Sequence, residues 1–137
     1  MNQVVVDASI ALAWCFPDET SDYADGVLVS LEGKTLLVPA IWSLEIANAV
    51  LVGERGKRLG QPEIKQFTAL LESLSLVQDV RPVANHVRDV LPLARTHGLS
   101  AYDAAYLELS FRCRAPLATL DGKLQRAAKR MGITIFK

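Results

Sequence analysis

Three β-branched residues, Val4, Val5 and Val6, run without a break into a carboxylate, Asp7, and an apolar segment over 10–16 follows at once. An unbroken valine run is the pattern of a strand buried on both faces, so a central parallel strand is predicted over 3–7. A short helix is expected over 9–15, broken at Pro17, and a second over about 21–31 with Gly33 as its stop. Residues 36–38 read as a short strand. A strongly apolar helix over 41–53 comes next, with Pro39 near its start and a glycine-punctuated turn over 53–60 after it. Pro62 opens a helix that sets Ile64, Phe67, Leu70, Leu71 and Leu74 on one face. A strand around 76–80, a helix over 83–97 closed by Gly98 and a helix over 100–112 follow. The chain finishes with a strand over 116–120, a helix over 121–130 ended by Gly132, and a terminal strand over 133–136.

Strands alternate with helices throughout, the signature of a parallel α/β sheet with helices on both faces. No repeat, low-complexity tract or linker interrupts the pattern, and a single domain over 1–137 is expected. Ligands of open α/β sheets bind beyond the carboxyl ends of the strands, which makes Asp7 the first residue to watch.

Composition narrows the classes. Half of the residues are apolar and 22% are charged, with 15 Lys and Arg balanced by 15 Asp and Glu. The chain lacks the global basic excess of many nucleic-acid binders, so a polyanionic substrate would need a local patch or a metal. No window approaches the roughly 18 apolar residues of a membrane span. The apolar start lacks a basic leader region, and Cys15 and Cys113 match no metal-ligand spacing, so a cytoplasmic, reducing setting is expected.

Four acids stand near strand ends or on the helices that leave them. Asp121 repeats the logic of Asp7 and also suits a helix N-cap. Asp103 follows Ser100 at capping-box spacing, yet it opens an otherwise apolar helix, where a carboxylate is costly. Glu45 shares one stripe of its helix with Asn48, and that stripe reads equally as a solvent face. Several carboxylates in one cleft cannot all stay ionised without a cation. An all-oxygen set suits Mg²⁺, which takes few carboxylates and several waters. Such an ion can activate water and neutralise a phosphodiester. His97 fits the last turn of its helix, where a histidine complements the helix dipole, and His86 has no ligand partner at spacing. Arg55, Lys57 and Arg58, and a second basic group over 112–130, read as solvated helix faces or as contacts for a nucleic-acid backbone.

Four blocks carry a resemblance beyond pattern: Val4-Val-Val-Asp-Ala-Ser-Ile-Ala-Leu-Ala-Trp14, Val38-Pro-Ala-Ile-Trp-Ser-Leu-Glu-Ile-Ala-Asn-Ala-Val50, Leu99-Ser-Ala-Tyr-Asp-Ala-Ala-Tyr-Leu107 and Leu117-Ala-Thr-Leu-Asp-Gly-Lys-Leu124. In this order they resemble PIN-domain ribonucleases, specifically the VapC-type toxins of type II toxin–antitoxin pairs. The resemblance implies a three-layer α/β/α fold around a five-stranded parallel sheet. It implies metal-binding, catalytic acids at Asp7, Glu45, Asp103 and Asp121, supported by Ser9 and Thr119. It further implies Mg²⁺- or Mn²⁺-dependent cleavage of RNA, a homodimer, and a cognate antitoxin that blocks the site. Two other readings stay open: a metal-dependent phosphatase or phosphotransferase, which would want a second acid where Ser9 stands, and a non-catalytic binding module.

Overall fold

The computed structural model describes residues 2–137. Four parallel strands form one sheet in the order β3-β2-β1-β4: β1 Gln3–Val6, β2 Thr35–Pro39, β3 Leu76–Asp79 and β4 Leu117–Ala118. Seven α-helices surround it: α1 Ala8–Cys15, α2 Asp22–Ser30, α3 Trp42–Arg55, α4 Gln61–Ser73, α5 Val83–His97, α6 Ala101–Cys113 and α7 Gly122–Arg130. Among the described residues, no helix is long and apolar enough to cross a membrane.

The valine run makes the centre. Val4, Val5 and Val6 are fully buried and alternate between two apolar clusters, Val5 with α3, α6 and α7, and Val4 and Val6 with α2. That alternation is the period-two geometry of a strand covered on both faces. From β1 the chain crosses to β2 on one side and much later returns as β4 on the other. The gap between β1 and β4 is therefore the topological switch point of the sheet, where crevices open at the carboxyl ends of strands. Asp7 sits in it, its amide donating to Ala118 O at 3.1 Å.

Three expectations change. The fifth strand shrinks to one parallel bridge between Ile135 and Leu117, flanked by hydrogen bonds from Leu117 N to Thr134 O and from Phe136 N to Leu117 O. With β4 only two residues long, there is no edge for a longer ladder to follow. Pro39 ends β2, paired with Asp79, rather than standing at the start of α3; a strand end tolerates a residue with no amide hydrogen to give. Gly53 does not stop α3, which runs on to Arg55.

The reason for Gly53 is close approach. A Cβ there would lie 2.5 Å from Cε1 and 2.7 Å from Cζ of Phe16, whose ring is buried and capped by the Arg58 guanidinium at 4.3 Å. Gly53→Val is expected to cost about 2–3 kcal/mol through overpacking, read as a lower urea midpoint with an unchanged slope.

At the far edge, an ion-pair network ties α6 to β3 and α5. Glu108, buried on α6, takes Arg112 Nε at 2.7 Å and lies 3.4 Å from Arg81 Nη1. Arg112 also reaches Asp79 at the end of β3 (2.5 Å), and Arg81 reaches Asp89 on α5 (2.7 Å). The network braces the C-terminal half of α6, and Asp103 and Tyr106 stand in its N-terminal half, at the rim of the sheet.

Candidate active site

The site is built on strand ends. Asp7 follows β1 in extended conformation and caps α1, its Oδ1 accepting from the amides of Ser9 (3.1 Å) and Ile10 (3.4 Å). Asp is a preferred cap because its short carboxylate reaches the free amides of the first turn. Two hydroxyls complete its setting: Ser9 Oγ donates to Oδ1 and Thr119 Oγ1 to Oδ2, both at 2.5 Å. Ser9 and Thr119 are held in turn, since Ser9 Oγ accepts from the amide of Leu120 (3.0 Å) and Thr119 Oγ1 from that of Asp121 (3.0 Å). The carboxylate is clamped on both oxygens, across 112 residues of chain.

Burial dominates its electrostatics. Asp7 is 6% exposed, and desolvation pushes its carboxyl up to about 6, although all four hydrogen bonds favour the ionised form. A charge withdrawn from water costs more than neutral donors return.

Glu45 is half-buried in the first turn of α3, and Tyr106 on α6 donates its hydroxyl to Glu45 Oε1 at 2.5 Å. Burial pushes the Glu45 carboxyl up, the tyrosine bond opposes this, and the nearby charge of Asp103 adds to it. Asp103 is half-buried in the first turn of α6 and is also raised, by burial first and then by Asp121. Asp121 caps α7 through the amides of Lys123 (2.9 Å) and Leu124 (3.4 Å). Burial and the charges of Glu45 and Asp7 together hold the Tyr106 hydroxyl protonated far beyond its ordinary range.

Glu45, Asp103 and Asp121 are thus successive electrostatic neighbours. Asp7 joins them through Tyr106, which feels the charges of both Glu45 and Asp7, and through Thr119, which hydrogen-bonds both Asp7 and the amide of Asp121. Among the described residues, no group of three or more converges into a ready-made cage. Asn48, on the stripe of Glu45, is exposed, and His86 lines an apolar cleft whose walls include no acid. Sequence reasoning passed over Tyr106. Its signal was present: it lies three residues after Asp103 on an apolar helix, and a buried tyrosine hydroxyl usually finds a partner.

The sequence profile of the PIN domain matches residues 4–130. Ribonuclease VapC3 of Pyrobaculum aerophilum is 30% identical over 122 residues, spanning 89% of this chain and 92% of that protein. Of solved structures, FitAcB from Neisseria gonorrhoeae aligns with a TM-score of 0.64 at 18% identity, over 98% of this chain and 96% of that one. VapBC2 from Rickettsia felis, bound to a DNA fragment from its promoter, gives 0.64 at 13% identity, over 98% and 97%. These two likenesses concern the fold alone. The chain belongs to the PIN-domain family and is of the VapC type.

The donor set fits a hard divalent cation in its chemistry. Every candidate donor is a carboxylate oxygen, and three of the four carboxyls are pushed up by burial, a strain that a bound cation relieves. The open spacing suits Mg²⁺, which binds through one or two carboxylates and keeps several waters.

Proposed function

We propose that this protein is a metal-dependent endoribonuclease, the toxin of a type II toxin–antitoxin pair. The observation that carries the reading is the Asp7 carboxylate, buried at the switch point, clamped by Ser9 and Thr119, with Glu45, Asp103 and Asp121 along the same rim. Asp7 and Asp103 are the principal candidate ligands for Mg²⁺ or Mn²⁺, with Glu45 and Asp121 completing the site directly or through water. When bound, the ion supplies charge neutralisation for the phosphodiester and acidifies water for in-line attack.

The chain's own residues set the geometry. Ser9 and Thr119 stop the Asp7 carboxylate from rotating, so both oxygens keep fixed directions. Tyr106 holds one oxygen of Glu45 and leaves the other free to accept a proton from an attacking water or to bind the ion. The expected products carry a 5′-phosphate and a 3′-hydroxyl.

A protein antitoxin and a second copy of the chain belong to this reading, in a cytoplasmic setting. The support is an apolar cleft of about 430 Å³ beside the acids, walled by Ile41, Leu44, Val87, Leu91 and Tyr102, with Leu44 66% and Tyr102 61% exposed. Leu44 and Tyr102 adjoin Glu45 and Asp103 in the chain, so a protein seated there would lie over the site.

A phosphotransferase is disfavoured by Ser9, which stands where a second acid is wanted and is committed to Asp7 and Leu120. A binding module is the reading that the helix caps of Asp7 and Asp121 favour. Cleavage of RNA by antitoxin-free protein separates these. Discrete fragments are expected with Mg²⁺, none with chelator, and a reduction of about 100-fold or more in Asp103→Asn. Full activity in chelator, or in the variant, would show that neither a metal nor Asp103 takes part in cleavage, and a folded protein that cuts nothing under any condition would favour the binding module.

A further inference from the structure

The neutral total charge conceals a sharp division. Residues 109–137 carry seven Lys and Arg against one acid, a net +6, and residues 1–108 carry eight against fourteen, a net −6. Such asymmetry along a chain is a recognised mark of nucleic-acid contact. In three dimensions the excess is gathered on α7 and the end of α6.

Helix α7 has no acid of its own. Leu124, Ala127 and Ala128 are buried, whereas Lys123, Arg126, Lys129 and Arg130 are all exposed. Among the described residues, the ion pairs use only Arg58, Arg81 and Arg112 as cations, so none of these four is neutralised by an acid. Arg130 Nη2 lies 3.4 Å from His97 Nδ1, its one side-chain hydrogen bond among the described residues. The face starts at the catalytic rim: Asp121 caps α7, and Lys123 lies near enough to Asp103 to draw its carboxyl down. It ends, about 13 Å on for nine residues, where the chain turns at Met131 and Gly132. Those two residues share a cavity of about 730 Å³ with Phe111, Arg112 and Arg114. Phe111 is 61% exposed there, an aromatic ring offered to solvent near Arg114, which has no acid partner among the described residues.

We propose that this face is the track for the single-stranded RNA flanking the cleaved bond. Lys123, Arg126, Lys129 and Arg130 contact successive phosphates, and a base stacks on Phe111 beside Arg114. A cationic groove with an aromatic platform is the general means of holding a single strand without reading its sequence. The occupant is argued from charge: an unneutralised row of cations joined to a phosphodiester-cleaving site matches a polyanion whose next phosphates must pass that way. The inference rests on RNA being the substrate.

The test measures binding of a single-stranded RNA oligomer to Asp7→Asn protein, which does not consume it, across a salt series. Arg126→Ala/Lys129→Ala is expected to weaken binding and to lower the slope of log Kd against log salt by about 1.4, the share of two phosphate contacts. Phe111→Ala is expected to weaken binding about fivefold or more with the slope unchanged. Arg55→Ala/Lys57→Ala, at the exposed end of α3 and the turn after it, is the control and should change neither. All these side chains are exposed, so the melting temperature should stay constant and exclude misfolding. If the parent binds and wild type cleaves RNA but the α7 double variant keeps the full slope, the track is wrong and the ribonuclease reading stands. If the parent binds no RNA even at low salt, both fall. If the double variant loses only duplex DNA binding, the face serves another nucleic acid and the inference is overturned.

Discussion

Asp7→Asn should melt higher and cut nothing. The folded protein holds the Asp7 carboxyl up at about 6 against an ordinary 3.8, because the group is buried. The sign follows from linkage. Between pH 3.8 and 6 the folded state binds a proton that the unfolded state has released, so stability falls as pH rises through that window. The difference of just over two units corresponds to a penalty of about 3 kcal/mol at neutral pH, absent below pH 3.8. An asparagine keeps the size and the helix cap but carries no charge to desolvate, and Thr119 Oγ1 can accept from its amide. Allowing for imperfect pairing, a gain of about 1–3 kcal/mol is expected, or roughly 4–10 °C in Tm at pH 7.5 in chelator. The gain should vanish near pH 4, where both proteins are neutral at this position. Activity should move the other way, by about 10³-fold or more, since the principal anchor of the electrostatic site is gone. Added Mg²⁺ should raise the Tm of wild type and leave that of the variant unchanged. Equal melting of the two proteins in chelator at pH 7.5 would mean that Asp7 is not desolvated as its burial demands.

The second large effect lies away from the chemistry. Glu108→Ala should cost about 2–4 kcal/mol, because it removes the buried acid that Arg112 and Arg81 share and leaves them only Asp79 and Asp89 at a partly buried site. The figure sits below that of a fully buried pair, since the side chains of Arg112 and Arg81 retain 33% and 15% exposure. Glu108→Gln, which keeps one acceptor for Arg112, should cost about 1 kcal/mol. Urea unfolding measures both. Activity per folded molecule should persist in both variants, because α6 keeps its apolar packing under Asp103 and Tyr106. A loss no larger for alanine than for glutamine would show that the arginines are satisfied by Asp79, Asp89 and water.

The order of elements was legible because local signals agree. The valine run, Pro62 at the head of α4, Gly98 in left-handed conformation after α5, and Ser100 capping α6 each act within a few residues of themselves. The expectations that failed concern what distant segments do to one another. Gly53 reads locally as a stop, yet its hydrogen-only side chain serves the Phe16 ring, 37 residues earlier. The terminal segment has the pattern of a strand, but its length is set by the two-residue β4 beside it. Of the candidate site, residue types and strand-end positions could be read from the chain, and four blocks sufficed for the family. The pairing of Tyr106 with Glu45 could not, since 61 residues separate them and nothing local to either names the other. The carboxylates were expected in one cleft; they are neighbours along a rim, and their spacing is a product of how α3 and α6 dock.

The division of charge along the chain also bears on how the molecule behaves in bulk. With equal numbers of acids and bases and an isoelectric point near 6.7, it has almost no net charge to keep copies apart at neutral pH. A basic end and an acidic remainder give it a large dipole instead. Two copies in dilute buffer attract head to tail, and mobile ions weaken that attraction. The protein should therefore salt in: it should be least soluble in low-salt neutral buffer and clear as salt is added, the reverse of a protein held in solution by a single sign of charge.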